Sequence, residues 1–237
     1  MRDISIIIPA YNEQKILHEN LVKIYSFISK KFPGRCKFII VDSNSTDETP
    51  QICKKFVKNH SSISYKNIDY NGKGEKIKFM TLRCNTPYAG WIDSDIPLKL
   101  EEYCKMMHKV VSDKADLSIS SRYAKGARIK RRITRLFCSR LYHTLVRILF
   151  FINVSDTTSG AKFWNYEITK NVWPLVKGTR WFFDTELVYY CINKGYRISE
   201  VPVTFEDRED SRFNIIRDGY KTNRDMLKFR LRTLFSK

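Results

Sequence analysis

Two aspartates, Asp93 and Asp95, close an apolar run in Trp91-Ile92-Asp93-Ser94-Asp95. In an extended chain residues i and i+2 share a face, so both carboxylates point the same way and repel unless a cation lies against them. A hard divalent ion, Mg²⁺ or Mn²⁺, takes such oxygens and keeps positions open for phosphate. The bland alternative is a turn with two solvated acids. Three other polar segments follow apolar runs: Pro9-Ala10-Tyr11-Asn12-Glu13, Val41 to Thr49 beginning Val-Asp42-Ser, and Asn71-Gly72-Lys73-Gly74. In the last, the glycines would let backbone approach a phosphate and Lys73 would supply charge. Each alone also suits an ordinary turn or the first turn of a helix. Together they supply what a nucleotide-diphosphate pocket requires, without the G-x-G-x-x-G or G-K-[ST] spacing of dinucleotide and P-loop sites.

Alternating elements must bring these segments together. Apolar runs at Ile4–Ile8, Lys37–Asp42, Ser62–Asn67, Tyr88–Asp93 and Asp116–Ser120 read as buried strands. Between them Leu17, Leu21, Ile24 and Ile28 form one helical stripe and Ile52 and Phe56 another, after a Ser45-x-x-Glu48 capping box. Lys76–Cys84 and Leu98–Val111 supply two more helices. Such alternation predicts an α/β fold with a mostly parallel sheet covered by helices on both faces, and ligands at the carboxyl ends of its strands. The second half departs from this rhythm. Basic helices precede a strand at Ala161–Trp164, a helix at Asp184–Asn193 ended by Gly195, and a strand at Arg197–Phe205 that Pro202 assigns to a sheet edge. No repeat or linker divides the chain, so one continuous domain over residues 1–212, with amphipathic interface helices at about 128–153, is expected to precede a basic amphipathic segment at 213–237.

Charge sharpens the picture. The 237 residues carry a formal charge of +18, with 43% hydrophobic and 14% aromatic residues, which excludes disorder. Nine basic residues and no acid lie between Leu117 and Ser155, and nine against four acids between Arg208 and Lys237. Apolar residues recur at helical spacing within both: Leu136, Phe137, Leu141, Leu145, Ile148 and Leu149, then Met226, Leu227, Phe229, Leu231 and Leu234. Such helices suit an anionic membrane surface, and equally a core-packing helix with a solvated basic face. Interleaved Leu and Phe argue against nucleic acid as the partner. No apolar run reaches the roughly 18–20 residues needed to span a bilayer, and no signal peptide is read. Six cysteines without a C-x-x-C pair suit reduced thiols in a cytosolic setting.

The ordered series P-A-Y-N-E, V-D-S-N-S-T-D-E-T, G-K-G, W-I-D-S-D, S-R-Y, D-T-T-S-G-A-K, W-F-F-D-T-E and E-V-P-V, spread over about Ile4 to Arg212, resembles family 2 glycosyltransferases of the GT-A (Rossmann-like) fold, specifically the polyprenyl- and dolichyl-phosphate mannose and glucose synthases. The resemblance implies a nucleotide-sugar donor, a divalent metal, and an inverting transfer to a polyprenyl or dolichyl phosphate by a peripheral enzyme at the cytoplasmic membrane face. It assigns Pro9, Ala10, Tyr11, Glu13, Asp42, Lys73, Asp93, Ser94 and Asp95 to the nucleotide sugar, with Asp93 and Asp95 on the metal. Arg122, Arg135 and Ser139 fall to the acceptor phosphate, and Arg208 and Arg212 to the diphosphate. Asp95 and Arg122 are the residues expected to carry catalysis.

Departures matter too. Pro97 stands where mannose synthases often place a third polar metal ligand, so the metal would rest on fewer protein oxygens. Lys162 in S-G-A-K resembles the glucose enzymes' G-x-K, which favours a UDP-glucose-type donor over GDP-mannose. Asp210 replaces the usual glycine before Ser211 and the spacing is shorter. A lipid phosphate already has an anionic oxygen and needs no general base. Asp184 and Glu186 sit where relatives acting on glycan hydroxyls place a base, and would instead orient the sugar, or serve as the acidic first turn of a helix. The rival readings are a family 2 transferase acting on a glycan hydroxyl through one of those acids, and a non-catalytic basic module for membrane or nucleic acid.

Overall fold

A computed structural model describes residues 3–70, 72–206 and 215–235. Along β1 (Ile4–Ala10), Ile4, Ile6, Ile8 and Ala10 enter the core on one face of the sheet and Ile7 the core on the other. This is the two-residue period of a strand buried on both sides. α1 (Leu17–Lys31) buries the expected stripe of Leu17, Leu21, Ile24 and Ile28. The alternation continues through β2 (Cys36–Asp42), α2 (Thr49–Lys58), β3 (Ile63–Asn67), α3 (Lys73–Thr81), β4 (Tyr88–Ile92), α4 (Leu100–Val111) and β5 (Leu117–Ser121). Then come β6 (Arg128–Lys130), α5 (Ile133–Phe150), β7 (Ala161–Asn165), α6 (Tyr166–Asn171), a 3₁₀ turn at Trp173–Leu175, α7 (Phe183–Asn193), β8 (Ile198–Pro202), β9 (Thr204–Glu206) and α8 (Ile215–Phe235).

The main sheet has seven strands in the order β3-β2-β1-β4-β7-β5-β8. Every pairing is parallel except those of β7, which runs antiparallel to both β4 and β5. Strand order reverses between β1 and β4, and the crevice outside that reversal is where open α/β sheets bind ligands. Because β7 is reversed, the chain entering it, not leaving it, meets the same edge: Ile92 pairs with Ala161.

Several local expectations change. The Ser45 to Glu48 capping box does not form, since α2 begins at Thr49 with Glu48 at its cap position. The Ser45 hydroxyl donates to Asp42 Oδ1 and accepts the Asn12 N–H (2.9 Å), so the β1 and β2 loops hold it instead. Gly-Lys-Gly is not a free loop: Lys73 and Gly74 open α3, and a Cβ at Gly72 would meet the Thr179 carbonyl oxygen at 2.0 Å. Its glycines allow close packing against the chain before α7. The strand expected at Arg197–Phe205 divides at Val203. β8 stays in the main sheet at its edge, as Pro202 implied, while β9 pairs with β6. β6 also replaces the expected helix at residues 128–130.

Both basic helices turn a face inward, and of the two expected stripes only that of α8 loses members to the core. α5 buries His143, Val146 and Phe150, and α8 buries Met226 and Phe229. Phe229 packs against Phe150, Phe182, Tyr189 and Tyr190, with ring centroids 5.0–5.7 Å apart, so α8 completes the core beneath the sheet. Leu136 and Leu149 are half-buried. Ile133, Phe137, Leu141, Ile148 and Phe151 beside Leu227, Leu231, Leu234 and Phe235 remain outside.

Gly90 at the centre of β4 gives the fold its sharpest packing test. A Cβ there would lie 2.1 Å from Phe163 Cδ1 and 2.6 Å from the Lys162 carbonyl oxygen, and the latter is backbone. Gly90→Ala should cost about 2–3 kcal/mol, lowering Tm by about 5–10 °C in a thermal melt.

Candidate active site

Two loops at the carboxyl ends of β1 and β2 brace one another. Asn12 adopts a left-handed backbone (φ 50°), a conformation Asn tolerates, and its Oδ1 accepts the Thr46 N–H (2.8 Å). The Glu13 N–H donates to Thr49 Oγ1 (2.8 Å). Asp42 organises this clamp from beneath. It is fully buried, with Oδ1 accepting the Ser43 N–H and the Ser45 hydroxyl and Oδ2 accepting the Tyr65 hydroxyl. Asp42 therefore does not line the cleft, whereas Ser43, Pro9, Ala10, Tyr11 and Glu13 do.

The cleft floor follows β4. After Ile92 the chain turns tightly, with the Ile96 N–H donating to the Asp93 carbonyl (3.1 Å) and Ile96 at φ 46°, a rare and strained state for a β-branched residue. Asn20 Nδ2 pins the Ser94 carbonyl at 2.8 Å. Asp93 faces the Lys73 ammonium, 2.7 Å from Oδ1 and 2.8 Å from Oδ2. Burial pulls the Lys73 pKa down, but Asp93, with Asp184 and Asp95 behind it, holds it above its ordinary value. A Cβ at Gly160 would come within 2.7 Å of Asp93 Oδ2, so glycine there makes room for the carboxylate. Asp93, Ser94, Asp95 and Pro97 all line the cleft.

A second ion pair lies deeper. Lys162 on β7 is fully buried and donates to Asp184 on α7 and to the Ser159 carbonyl (3.1 Å). Burial lowers the Lys162 pKa and raises that of Asp184, outweighing their mutual attraction. Asp184 borders the cleft; Glu186 does not. Two residues apart on a helix, they face nearly opposite ways. Glu186 Oε2 accepts the N–H groups of Lys177 (2.6 Å) and Gly178 (3.1 Å), and Arg232 of α8 stands 3.1 Å from Oε1.

Beyond Asp184 the cleft becomes basic and then apolar. Arg122 at the end of β5, Arg131 before α5, and Arg135 and Ser139 on α5 line it, and Leu141, Leu145 and Tyr220 continue it between α5 and α8. The Arg122 guanidinium is held by buried Asp156. The whole space is about 780 Å³. Arg208 and Arg212 lie outside the described residues. Sequence reasoning passed over Lys76, which is buried beside the cleft with its ammonium on the Ala10 carbonyl (3.0 Å) and 5.8 Å from the Tyr11 ring. It also passed over Arg131, Thr158 and Gly160, and read Trp181 only as part of a motif; the Lys73 ammonium lies 5.9 Å from the Trp181 ring. The D-T-T-S-G-A-K run, quoted whole, was the signal for Asp156, Thr158 and Gly160.

Other proteins resemble this chain in sequence and in fold. A dolichyl-phosphate beta-glucosyltransferase of Saccharomyces cerevisiae is 27% identical over 247 residues, covering 96% of this chain and 74% of its own length. The enzyme of that name from Dictyostelium discoideum is 27% identical, with 98% and 75% covered. In three dimensions the fold matches glucosyl-3-phosphoglycerate synthase from Mycobacterium tuberculosis, solved with Mn²⁺, UDP and glucosyl-3-phosphoglycerate, at a TM-score of 0.72 and 18% identity, over 97% of this chain and 80% of that one. Residues 5–173 match the sequence model of Glycosyl transferase family 2. With that match spanning more than half of its length and the sheet just described, the chain belongs to glycosyl transferase family 2 and is a glycosyltransferase of the GT-A fold.

Proposed function

We propose that the chain transfers a sugar, of the UDP-glucose type, from a nucleoside diphosphate to a polyprenyl phosphate of the dolichyl class, with inversion, at the cytoplasmic face of a membrane. One observation carries this reading: a single cleft joins the carboxylates Asp93 and Asp95 to the arginines Arg122, Arg131 and Arg135 and then opens between Leu141 and Leu145 of α5 and Tyr220 of α8. Nucleoside diphosphate, acceptor phosphate and lipid tail each find matching chemistry along it. The relatives named dolichyl-phosphate beta-glucosyltransferases support the acceptor and the sugar. Lys162 does not select the donor by touching it, because it is buried under Asp184.

The donor set suits a hard divalent cation. Among the described residues no three His, Cys, Asp or Glu side chains cluster as a metal cage. Asp93 Oδ1 is buried without a well-directed hydrogen bond, and Asp95 stands beside it on the rim. Mg²⁺ or Mn²⁺, which keep most positions for water and phosphate, would rest on Asp95 with help from Asp93. When bound, the ion would neutralise charge on the departing diphosphate. The protein's own residues do the rest. Lys73, kept cationic, adds positive charge at the leaving group. The arginines and Ser139 hold the acceptor phosphate, whose anionic oxygen attacks without a base. Asp184, tied to Lys162, orients the sugar.

Purified protein given a polyprenyl phosphate should make a solvent-extractable, acid-labile glycolipid from UDP-[¹⁴C]glucose and not from GDP-[¹⁴C]mannose. Label passing only to glycan hydroxyls would return Asp184 to the role of base.

Asp95→Asn should cut turnover by about a hundredfold or more while donor affinity changes little, because the ion matters most as charge develops. Full activity of that variant, or of wild type in excess EDTA, refutes metal dependence. Arg135→Ala should raise KM for lipid phosphate by about tenfold or more, as loss of a charge-assisted bond of about 1.5–3 kcal/mol requires, with nucleotide binding kept.

Membrane attachment is read from the outer faces of α5 and α8. No helix among the described residues is long and apolar enough to cross a membrane. Arg132 just before α5, Arg140 and Arg147 on α5, and Arg224 and Lys228 on α8 are exposed around the apolar residues. Each basic residue near an anionic surface contributes about 1 kcal/mol, and the apolar side chains insert shallowly. Flotation with anionic vesicles should show binding that weakens with salt without vanishing, and that Phe137→Asp with Ile148→Asp abolishes. No flotation at low salt would refute the surface.

A further inference from the structure

Two separate pieces of chain form the acceptor end of the cleft, and they meet at one carboxylate. Asp156, fully buried in the connection from α5 to β7, accepts Arg122 Nε at 2.7 Å and Nη2 at 2.9 Å, and also the Arg122 backbone N–H at 2.9 Å. Its Oδ1 lies 3.3 Å from Nε2 of His143, a buried residue of α5. Thr158 Oγ1 takes a further Nη2 bond from Arg122 at 3.0 Å. Arg122 belongs to the end of β5, whereas Arg135 and Ser139 belong to α5. Tyr123, the neighbour of Arg122, gives its hydroxyl to Ser139 (2.7 Å), and its ring stands 5.3 Å from that of His143.

We infer that Asp156 is a positioning residue that sets the register of both halves of the acceptor-phosphate site, Arg122 directly and α5 through His143. The inference rests on the acceptor reading above. A planar guanidinium offers five N–H donors in a fixed fork, and three of them are committed on its Nε and Nη2 edge. Held along that edge, the side chain cannot swing away from the end of the cleft that it lines. Asp156 also cancels the charge of Arg122. What the pair supplies is therefore geometry rather than net charge. Burial alone would raise the pKa of Asp156, but Arg122 and then His143 hold it well below the usual carboxylate range. The clamp thus stays charged across the working pH range.

Asp156→Asn keeps the shape and removes the charge. Its KM for polyprenyl phosphate in mixed micelles should rise about 10- to 100-fold, as for small misplacements of a binding group, with KM for the nucleotide sugar within about twofold. Combined with Arg122→Lys, it should cost no more than Arg122→Lys alone, because both remove one unit. His143→Leu should raise the acceptor KM as well, and His143→Gln, which keeps an N–H, should recover most of it; this pair carries the test if Asp156→Asn does not fold. An unchanged acceptor KM in Asp156→Asn, a parallel rise for both substrates, or additive losses in the double variant would overturn the inference. The Nε–H resonance of Arg122, assigned by its loss in Arg122→Lys, needs no acceptor: it should be protected from exchange in wild type and His143→Leu and exposed in Asp156→Asn. Protection that persists in Asp156→Asn overturns the clamp. A wild type that shows this pattern yet transfers nothing to polyprenyl phosphate overturns the acceptor reading alone.

Discussion

Buried charge of alternating sign ties the cleft to the sheet beneath it. Asp93 meets Lys73, and Asp184, close enough to Lys73 to act on its titration, meets Lys162 under the sheet edge. Removing one member of such a pair strands the other, at a cost of about 3–5 kcal/mol, so the four side chains hold β4, α3, α7 and β7 in fixed relation. The same constraint explains glycines that have no unusual dihedral angle. Gly74 and Gly160 sit where any Cβ would push α3 off the chain before α7 or crowd the Asp93 carboxylate.

The cleft divides its charge along its length. Carboxylates with two lysines, Lys73 and Lys76, occupy the β1–β4 end, and arginines the end beneath α5. The two phosphorylated substrates proposed above would meet different chemistry at the two ends. The acidic end repels a bare anion and accepts one that brings a cation, whereas the arginine end accepts an anion alone. The reversed strand β7 makes this possible, since it brings Asp156, Thr158 and Gly160 to an edge that parallel strands would reach only with their last residues.

Legibility in the sequence followed locality. The strand ends, the stripe of α1 and the paired aspartates are short-range patterns, and the structure has them within a residue or two. What depended on distant partners was less visible. Ser45 reads as a helix cap until Asn12 and Asp42 claim its hydroxyl. Asp184 and Glu186 look equivalent until helix geometry turns one to the cleft and the other to Lys177 and Arg232. Lys76 reads only as the start of a helix and Lys162 as a lysine that bears on the donor, until packing encloses them both. The family resemblance supplied the order of the motifs, but not which acids face the substrate and which hold the loops.

The C-terminal helix has one consequence for how this protein must be handled. Met226 and Phe229 on its inner face are core residues, while Leu227, Leu231 and Leu234 on its outer face are exposed. One rigid rod therefore belongs to two cohesive systems at once, and by mass action whatever occupies its outer face also stabilises the inner one. Deleting the helix to gain solubility would open an aromatic socket lined by Phe150, Phe182 and Tyr189. Solubility is better sought by replacing outer-face leucines one at a time, which leaves that socket filled.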